Sequence, residues 1–284
     1  MTKAFRGVPG AWNQSSSSTQ VSLPLLRPAA TVSSVTPSAF FQITRACLLA
    51  GQVIFRLVQG RGERRNLMYY LACAGPGCLA PVVLTNLFAG MIFSIQTGRE
   101  LINYGATHAL GGAFAMAYCR ELCPILTAAI LAGQVGSAFA AEIGCMKLSE
   151  QIDALKVLRT DPIDYLVVPR VLACCIMLPI LMILSLFVGI GGGLLIAHQL
   201  FDISAYTFLS SIQESLMISD LVAVLLKAVL FGAVIAIMSC SHGLTTACHG
   251  KGVGQSTTAA VVTTWVGIFV MDFVVSILLL PPLH

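Results

Sequence analysis

Charged residues are scarce in this sequence. Among 284 residues there are 16 lysines and arginines and 12 aspartates and glutamates, or 10% of the chain, whereas a soluble domain carries roughly 25%. So few charges cannot cover a surface that faces water, which excludes an ordinary soluble protein. Because 57% of the residues are hydrophobic, much of the surface must face lipid.

Catalytic and nucleotide-binding motifs are also absent. The glycine-rich stretch 250–257 contains Lys251. In a phosphate loop, however, the Lys stands directly before the Ser or Thr, and no Lys stands directly before Ser256 or Thr257. The sequence has no HExxH or GxSxG motif, and its ten cysteines form no CxxC pair. We therefore expect no catalytic residue, no metal site and no cofactor in this chain, and nothing indicates a nucleic acid partner.

Five long apolar stretches are present instead. Each reaches the ~20 residues that a helix needs to cross ~30 Å of hydrocarbon, and none shows the alternating pattern of a barrel strand. Since helices and closed barrels are the structures that satisfy the backbone inside lipid, we predict an all-α membrane protein. The predicted spans are about 74–97, 109–141, 166–198, 219–240 and 258–280.

The first 70 residues differ in composition from the rest. Residues 1–38 are rich in Ser, Thr and Pro and contain basic residues but no acid, which is typical of an organelle transit peptide; a disordered N-terminal extension is the alternative. Residues 39–70 mix apolar side chains with five arginines, which predicts an amphipathic helix at the membrane interface. Residues 39–284 are then the predicted transmembrane domain.

The distribution of Lys and Arg indicates the orientation. With the N-terminus on the cytoplasmic or stromal side, thirteen basic residues fall on that side and one, Arg99, falls on the other. This is the asymmetry that the positive-inside rule describes. We call the two sides the basic side and the opposite side, and we expect the C-terminus on the opposite side.

One face of the second span consists of small residues that repeat every four positions. Residues of this size at this spacing let helix backbones approach closely in lipid. We therefore predict tight packing against a neighbouring helix, which needs no further function. The residues are Ala128, Ala132, Gly136, Ala140 and Gly144.

Ionisable residues inside the spans mark a candidate site. Each unpaired charge in hydrocarbon costs at least about 2.5–3.5 kcal/mol. Asp220 and Lys227 are seven residues apart and share one helix face, so we predict that Arg120 pairs with Asp220 and Glu121 with Lys227. Asp272 is a fifth such residue. Two interpretations stay open: a structural network that holds the helices in register, or a polar patch in a cavity that receives a charged headgroup.

The connection between the second and third spans, residues 142–170, holds nine charged residues. Residues 149–159 can form a short amphipathic helix with Ile152, Leu155 and Leu158 on one side, and Asp161-Pro162 should end it. A polar helix on the basic side is well placed to contact a soluble partner, and a merely solvated linker is the alternative.

These stretches resemble the MlaE-type permeases of ABC lipid transporters, a family with plastid members of the trigalactosyldiacylglycerol pathway. The resemblance covers about residues 40–280, in order. Gln134 stands where the family usually has Arg, and Cys123 where Gly is usual. The matching stretches are 120–127, 132–137, 141–147, 150–155, 161–170, 189–192, 227–232, 239–240 and 252–254.

The resemblance implies a MlaE-like permease fold, in which an interfacial helix precedes about five transmembrane helices. It implies a homodimer that moves glycerophospholipid between membranes, or phosphatidic acid-type lipid in a plastid. ATPase subunits on the basic side would use ATP and Mg²⁺, and an MCE-domain lipid-binding protein would bind on the opposite side. The plastid inner envelope is the expected location, with a bacterial inner membrane as the alternative.

Their charge within the spans makes Arg120, Glu121, Asp220 and Lys227 the candidate residues of the substrate pathway or of an intramembrane charge network. The resemblance implies that the dimer interface near the first and second spans holds the lipid. The segment 142–165 would receive the motion of the ATPase, through Glu142, Lys147, Glu150, Gln151, Asp153 and Lys156. Two other functions stay open: a membrane scaffold that anchors an ATPase and an MCE protein, and an ion-coupled secondary transporter.

Overall fold

A computed structural model describes residues 44, 46–53, 55, 56, 64–159, 161–246 and 250–279. Within these ranges the chain is helical and contains no strand. The predicted transit peptide, residues 1–38, lies outside the described residues. The longer helices are Arg64–Ala74, Pro76–Asn103, Leu110–Ala117, Cys123–Leu131, Ser137–Leu148, Gln151–Val157, Val168–Phe201, Ala205–Ser215, Ile218–Thr245 and Gly250–Leu279.

Five stretches are long and apolar enough to cross a membrane, which confirms the predicted number of spans. In chain order we call them the first to the fifth span, and they are longer than the sequence pattern suggested because the helices continue past the apolar core. The first span includes residues 67–70, which the sequence placed in the interfacial helix. The bounds are Leu67–Asn103, Leu110–Leu148, Ile163–Phe201, Ile218–Thr245 and Gly252–Leu278.

Small residues allow the spans to pack closely. A Cβ atom added to Gly90 in the first span would lie 2.9 Å from the Cα atom of Gly189 in the third span, so these backbones touch directly. At Gly232 in the fourth span, the added Cβ would lie 2.7 Å from the carbonyl oxygen of Cys174 in the third. A larger side chain at either position would push two helices apart.

The small-residue face of the second span packs as predicted. All five of its members are buried. Gly136 lies against Ser239 of the fourth span, and Gly144 lies against Thr246, the residue that follows this span. In lipid the hydrophobic effect does not drive helices together, so this close contact is what holds the second and fourth spans side by side.

A buried polar cluster joins the first three spans. The Asn86 amide donates hydrogen bonds to Thr127 and Ser185, both at 3.3 Å. Its carbonyl oxygen accepts a hydrogen bond of 3.1 Å from the Tyr118 hydroxyl. These side chains are fully buried, so each polar group has a protein partner where neither water nor lipid could supply one. The cluster fixes the register of the three helices.

The second span contains two π-helical turns, Tyr118–Leu122 and Ala132–Gly136. Such turns occur where the regular hydrogen-bond ladder is interrupted, often at functional sites. The first turn ends two residues before Pro124, which has no backbone N–H to donate to the carbonyl of Arg120, four residues earlier. That carbonyl is therefore free to accept a hydrogen bond from another helix.

The predicted helix over 149–159 is shorter in the structure, and one part of the prediction is wrong. It runs from Gln151 to Val157, and Arg159, with φ of 56°, reverses the chain before Asp161-Pro162 is reached. Ile152 is buried as expected, but Leu158 lies beyond the helix end and is 73% exposed. Leu158 therefore does not share the buried side with Ile152.

Candidate functional site

Six polar side chains from three spans meet inside the bundle, and we call this group the outer cluster. It consists of Arg120 and Glu121 from the second span, Asp220 and Lys227 from the fourth, and Asp272 and Ser276 from the fifth. Arg120 lies about ten residues into its 39-residue span, or about 15 Å along a helix, and its partner Asp220 lies in the first turn of the fourth span.

Both predicted ion pairs of the outer cluster are confirmed. Arg120 Nη2 lies 2.8 Å from Asp220 Oδ1. Lys227 Nζ lies 3.1 Å from each carboxylate oxygen of Glu121. Asp220 also accepts a hydrogen bond of 3.0 Å from the backbone N–H of Met217, so its carboxylate caps the first turn of the fourth span, where the helix dipole favours negative charge.

Lys227 has further partners that the sequence reasoning missed. Its Nζ lies 2.8 Å from Asp272 Oδ1 and donates a hydrogen bond of 2.8 Å to Ser276 Oγ. It also donates to the Arg120 carbonyl oxygen at 3.1 Å, the acceptor that Pro124 leaves free. The four-residue spacing of Asp272 and Ser276, which places them on one helix face, could have indicated that both belong to the site.

The members of the outer cluster differ in their exposure. The side chains of Lys227 and Asp272 are only 5% and 10% exposed, so the centre of the cluster is enclosed by protein. The side chains of Arg120 and Glu121 are 44% and 50% exposed. The cluster therefore has a closed core and an open edge that presents one cation and one anion at the surface of the chain, within a membrane span.

The coupling residues predicted in segment 142–165 do not form one group. Glu142 is tied to the bundle, because its carboxylate lies 2.8 Å from Nη2 of Arg170, a fully buried residue. Lys147 is also tied to it, because its Nζ donates a hydrogen bond of 2.8 Å to the Thr246 carbonyl at the end of the fourth span. These contacts link the ends of the second, third and fourth spans on the basic side.

Arg170 is held by aromatic rings as well as by charge, and we call Arg170, Glu142, Tyr70 and Phe139 the inner cluster. The guanidinium carbon lies 4.5 Å from the centre of the Tyr70 ring and 5.4 Å from that of Phe139. Nη1 donates a hydrogen bond of 2.8 Å to the Leu166 carbonyl. A planar guanidinium can stack and donate hydrogen bonds at the same time, which a lysine cannot do.

The far end of the segment is tied to residues that precede the first span. Arg56 lies 2.5 Å from Asp161 and 2.7 Å from Asp164. The hydrogen bond from Arg56 is the main reason that the pKa of Asp161 is lowered, while partial burial opposes the shift. The same hydrogen bond raises the pKa of Arg56. Sequence reasoning did not identify this link, because the two parts lie 105 residues apart.

Glu150, Gln151, Asp153 and Lys156 lie in the exposed middle of the segment. Asp153 and Lys156 pair with each other at 2.7 Å, three residues apart on one helix. Beside them the apolar side chain of Val157 is 84% exposed. The ends of the segment are thus anchored to the rest of the chain, while its middle exposes both charged and apolar side chains.

Comparison with known proteins places these features in a family. The family model described as Permease MlaE matches residues 67–278. A probable ABC transporter permease of Synechocystis sp. is 52% identical over 237 residues, which cover 84% of this chain and 90% of that protein. A probable ABC transporter permease of Pyropia yezoensis is 43% identical over 225 residues, covering 79% of this chain and 86% of its own length.

A third relative, from Arabidopsis thaliana, is named protein trigalactosyldiacylglycerol 1, chloroplastic. It is 44% identical over 229 residues, which cover 81% of this chain and 65% of the Arabidopsis protein. The chain thus spans just under two thirds of that relative. The matched family region contains all six members of the outer cluster and the whole segment 142–165.

Proposed function

The chain belongs to the MlaE permease family, and on this premise we propose that it is the membrane subunit of an ATP-driven transporter that moves glycerophospholipid between membranes. The observation that carries the proposal is the open edge of the outer cluster. A charged group in contact with acyl chains is costly, so half-exposed Arg120 and Glu121 must face water, a headgroup or another protein surface.

A lipid headgroup fits the charges at this edge. Arg120 presents a guanidinium, which binds phosphate oxygens through two parallel hydrogen bonds, and Glu121 presents an acceptor for a hydroxyl or an ammonium group. The closed core around Lys227 fixes the position of both. Charged groups at the surface of a span, with apolar helix surfaces beside them, suit a molecule that has a charged head and apolar tails.

The names of the relatives support the choice of lipid and location. The Arabidopsis relative has the name of a galactolipid and is described as chloroplastic, which supports a lipid substrate and a plastid location. Within a plastid we propose the inner envelope as the membrane and a phosphatidic acid-type lipid as the substrate. The Synechocystis relative keeps a bacterial inner membrane as the alternative. Residues 1–38 would act as the transit peptide in the first case.

The proposal includes three partners. An ABC ATPase subunit would bind the exposed middle of segment 142–165 and supply ATP–Mg²⁺ chemistry. A second copy of this chain would complete the lipid site as a homodimer, and an MCE-domain protein would receive or deliver lipid on the opposite side. Because Glu142, Lys147 and Asp161 anchor the segment to the spans and to Arg56, movement of its middle would be transmitted to the bundle.

Cross-linking and mass spectrometry together test the proposal. Photo-cross-linkers at positions 150 and 156 should capture an ATPase subunit, and the purified complex should retain glycerophospholipid. A cross-linker at Tyr206, exposed on the opposite side, is the matched control and should not capture the ATPase. Capture of the ATPase without bound lipid would support a scaffold, and transport that persists without the ATPase would support an ion-coupled secondary transporter.

A further inference from the structure

We infer that the outer cluster binds one exchangeable proton, shared between the carboxyl groups of Glu121 and Asp272. The inference rests on the same site as the proposed function and adds a second ligand to it. It concerns proton occupancy alone, so it can fail or hold independently of lipid transport.

The first argument is the balance of charge. The outer cluster contains two cations, Arg120 and Lys227, and three carboxyl groups, Glu121, Asp220 and Asp272. Arg120 and Asp220 neutralise each other at 2.8 Å. The single ammonium of Lys227 is left with both remaining carboxyl groups, at 3.1 Å from Glu121 and 2.8 Å from Asp272. If all three carboxyl groups were ionised, the cluster would carry one uncompensated negative charge inside the membrane.

No other cation compensates that charge among the ion pairs of the described residues. The first span carries Arg99 and Glu100 near its end on the opposite side, and neither pairs with the cluster. In the third span, Arg170 is engaged with Glu142 on the basic side, and His198 makes no ion pair with the cluster. Ser276 contributes a neutral hydroxyl, which donates to Glu121 at 3.1 Å.

The second argument is the closeness of the two carboxyl groups. Lys227 Nζ lies 3.1 Å from Glu121 Oε2 and 2.8 Å from Asp272 Oδ1, so both carboxyl groups contact the same ammonium. The Ser276 hydroxyl, which accepts a hydrogen bond from Lys227, also donates to Glu121 at 3.1 Å. Two carboxyl groups that share one cation at such short range do not both ionise readily.

The difference in exposure gives the two groups different roles. Asp272 is nearly enclosed and cannot exchange a proton directly with water, whereas half of the Glu121 side chain is exposed. Glu121 is therefore the group through which the proton enters and leaves. When the proton is bound the cluster is neutral, and an anionic phosphate at Arg120 meets no excess negative charge. Headgroup binding and proton binding should then strengthen each other, because such coupling is reciprocal.

Infrared difference spectroscopy of the full chain in nanodiscs of zwitterionic phospholipid tests the proton directly. The wild-type protein should show the C=O stretch of a protonated carboxyl near neutral pH, and the band should shift in D₂O and disappear at alkaline pH. Asp272→Asn and Glu121→Gln should each abolish the band, since either change leaves two cations and two carboxylates. Glu100→Gln, which removes an exposed carboxyl outside the cluster, should retain it.

The outcomes are decisive for the proton site and separable from the proposed function. A wild-type spectrum without a protonated carboxyl at neutral pH overturns the inference, and this measurement requires no variant to fold. A band that persists in both Asp272→Asn and Glu121→Gln overturns it as well. A protein that shows the band but moves no lipid with ATP would support the proton site and contradict the proposed function. A protein that moves lipid with ATP but shows no band would support the proposed function and contradict the proton site.

Discussion

Arg170 and Lys227 are both cations inside membrane spans, and both pair with carboxylates from the second span. Arg170 is 0% exposed and is enclosed by aromatic rings and by the Leu166 carbonyl. Lys227 is almost as deeply buried, but its cluster opens at one edge through Arg120 and Glu121. The inner cluster presents only an anion, the 43% exposed carboxylate of Glu142, whereas the outer cluster presents both a cation and an anion at its surface.

This difference suggests different roles for the two clusters. An enclosed arginine that ties three helix ends together on the basic side is suited to transmit movement. A cluster with a closed core and an open edge is suited to bind a ligand at a fixed position. If this account is right, changes in the inner cluster should affect folding, and changes in the outer cluster should affect transport.

The largest effect is expected from Arg170→Ala. This change truncates a fully buried side chain and removes its contacts with Tyr70, Phe139 and the Leu166 carbonyl, and large-to-small changes at buried positions cost about 2–5 kcal/mol. We expect loss of folded protein, measured as the yield of monodisperse complex in detergent. Arg170→Lys, which keeps the charge but cannot stack in the same plane, should lose part of the yield.

Arg99→Ala is the matched control, since Arg99 is an exposed arginine near the other end of a span. Its yield should equal that of the wild type. Normal yield and thermal stability of Arg170→Ala would contradict the structural role of the inner cluster.

Lys227→Glu should affect transport more than assembly. The change places three carboxylates together at the core of the outer cluster and removes the cation that positions Glu121. A loss of about 1.4 kcal/mol in the free energy of headgroup binding corresponds to a tenfold weaker affinity. We therefore expect lipid transfer to fall at least about tenfold. More of the protein should remain folded than in Arg170→Ala. Lys227→Arg, which keeps the charge, is the control.

Equal losses of folded protein and of transfer in Lys227→Glu would remove the distinction between the two clusters. The outer cluster would then be a structural network, which is the alternative that the sequence leaves open.

Val157→Asp tests the exposed middle of segment 142–165. Because Val157 has no enclosed contacts to lose, we expect unchanged stability of the chain. ATPase association should weaken by about 1–2 kcal/mol, or about tenfold, measured by co-purification at several concentrations. Tyr206→Asp replaces an equally exposed side chain on the opposite side and should leave this association intact; equal weakening in both would reject Val157 as a contact.

The smallest effect is expected at Asp161. Arg56 lowers the pKa of this carboxyl in the folded protein. The ion pair therefore stabilises the protein fully at pH values above the pKa of the unfolded state. This stabilisation is lost as the pH falls through the lower pKa of the folded state. Since both side chains are partly exposed, Asp161→Asn should cost less than about 1 kcal/mol at neutral pH. Thermal unfolding at several pH values should show that the wild type and the variant converge in acid. A constant difference would assign the effect to packing instead.

Much of the fold was predictable because lipid imposes simple rules. The number of spans followed from uncharged length, and the buried face of the second span followed from Ala128 to Gly144 at four-residue intervals. The pairs Arg120–Asp220 and Glu121–Lys227 followed from helix geometry and the cost of an unpaired charge. Membership of the MlaE permease family, inferred from ordered motifs, is confirmed by the comparisons.

Other features depend on contacts that no local pattern encodes. The Arg56–Asp161 link joins parts of the chain that are distant in sequence, and the stacking of Arg170 on Tyr70 requires the first and third spans to be placed side by side. Leu158 was assigned wrongly because the left-handed backbone of Arg159 ends the helix early. Gln134 stands where the family usually has Arg, and its side chain is exposed. This chain therefore presents a neutral amide at that position instead of a cation.

ATP-driven lipid transfer is the measurement that tests the account most directly. Liposomes would contain this chain with its ATPase and MCE-domain partners, a labelled glycerophospholipid, and either ATP–Mg²⁺ or a non-hydrolysable analogue. We predict transfer that requires hydrolysis, falls at least about tenfold in Lys227→Glu, and is unchanged in Arg99→Ala. Absence of transfer by the wild-type complex, or transfer that continues without the ATPase, would contradict the assignment of this chain as a lipid permease of the ABC type.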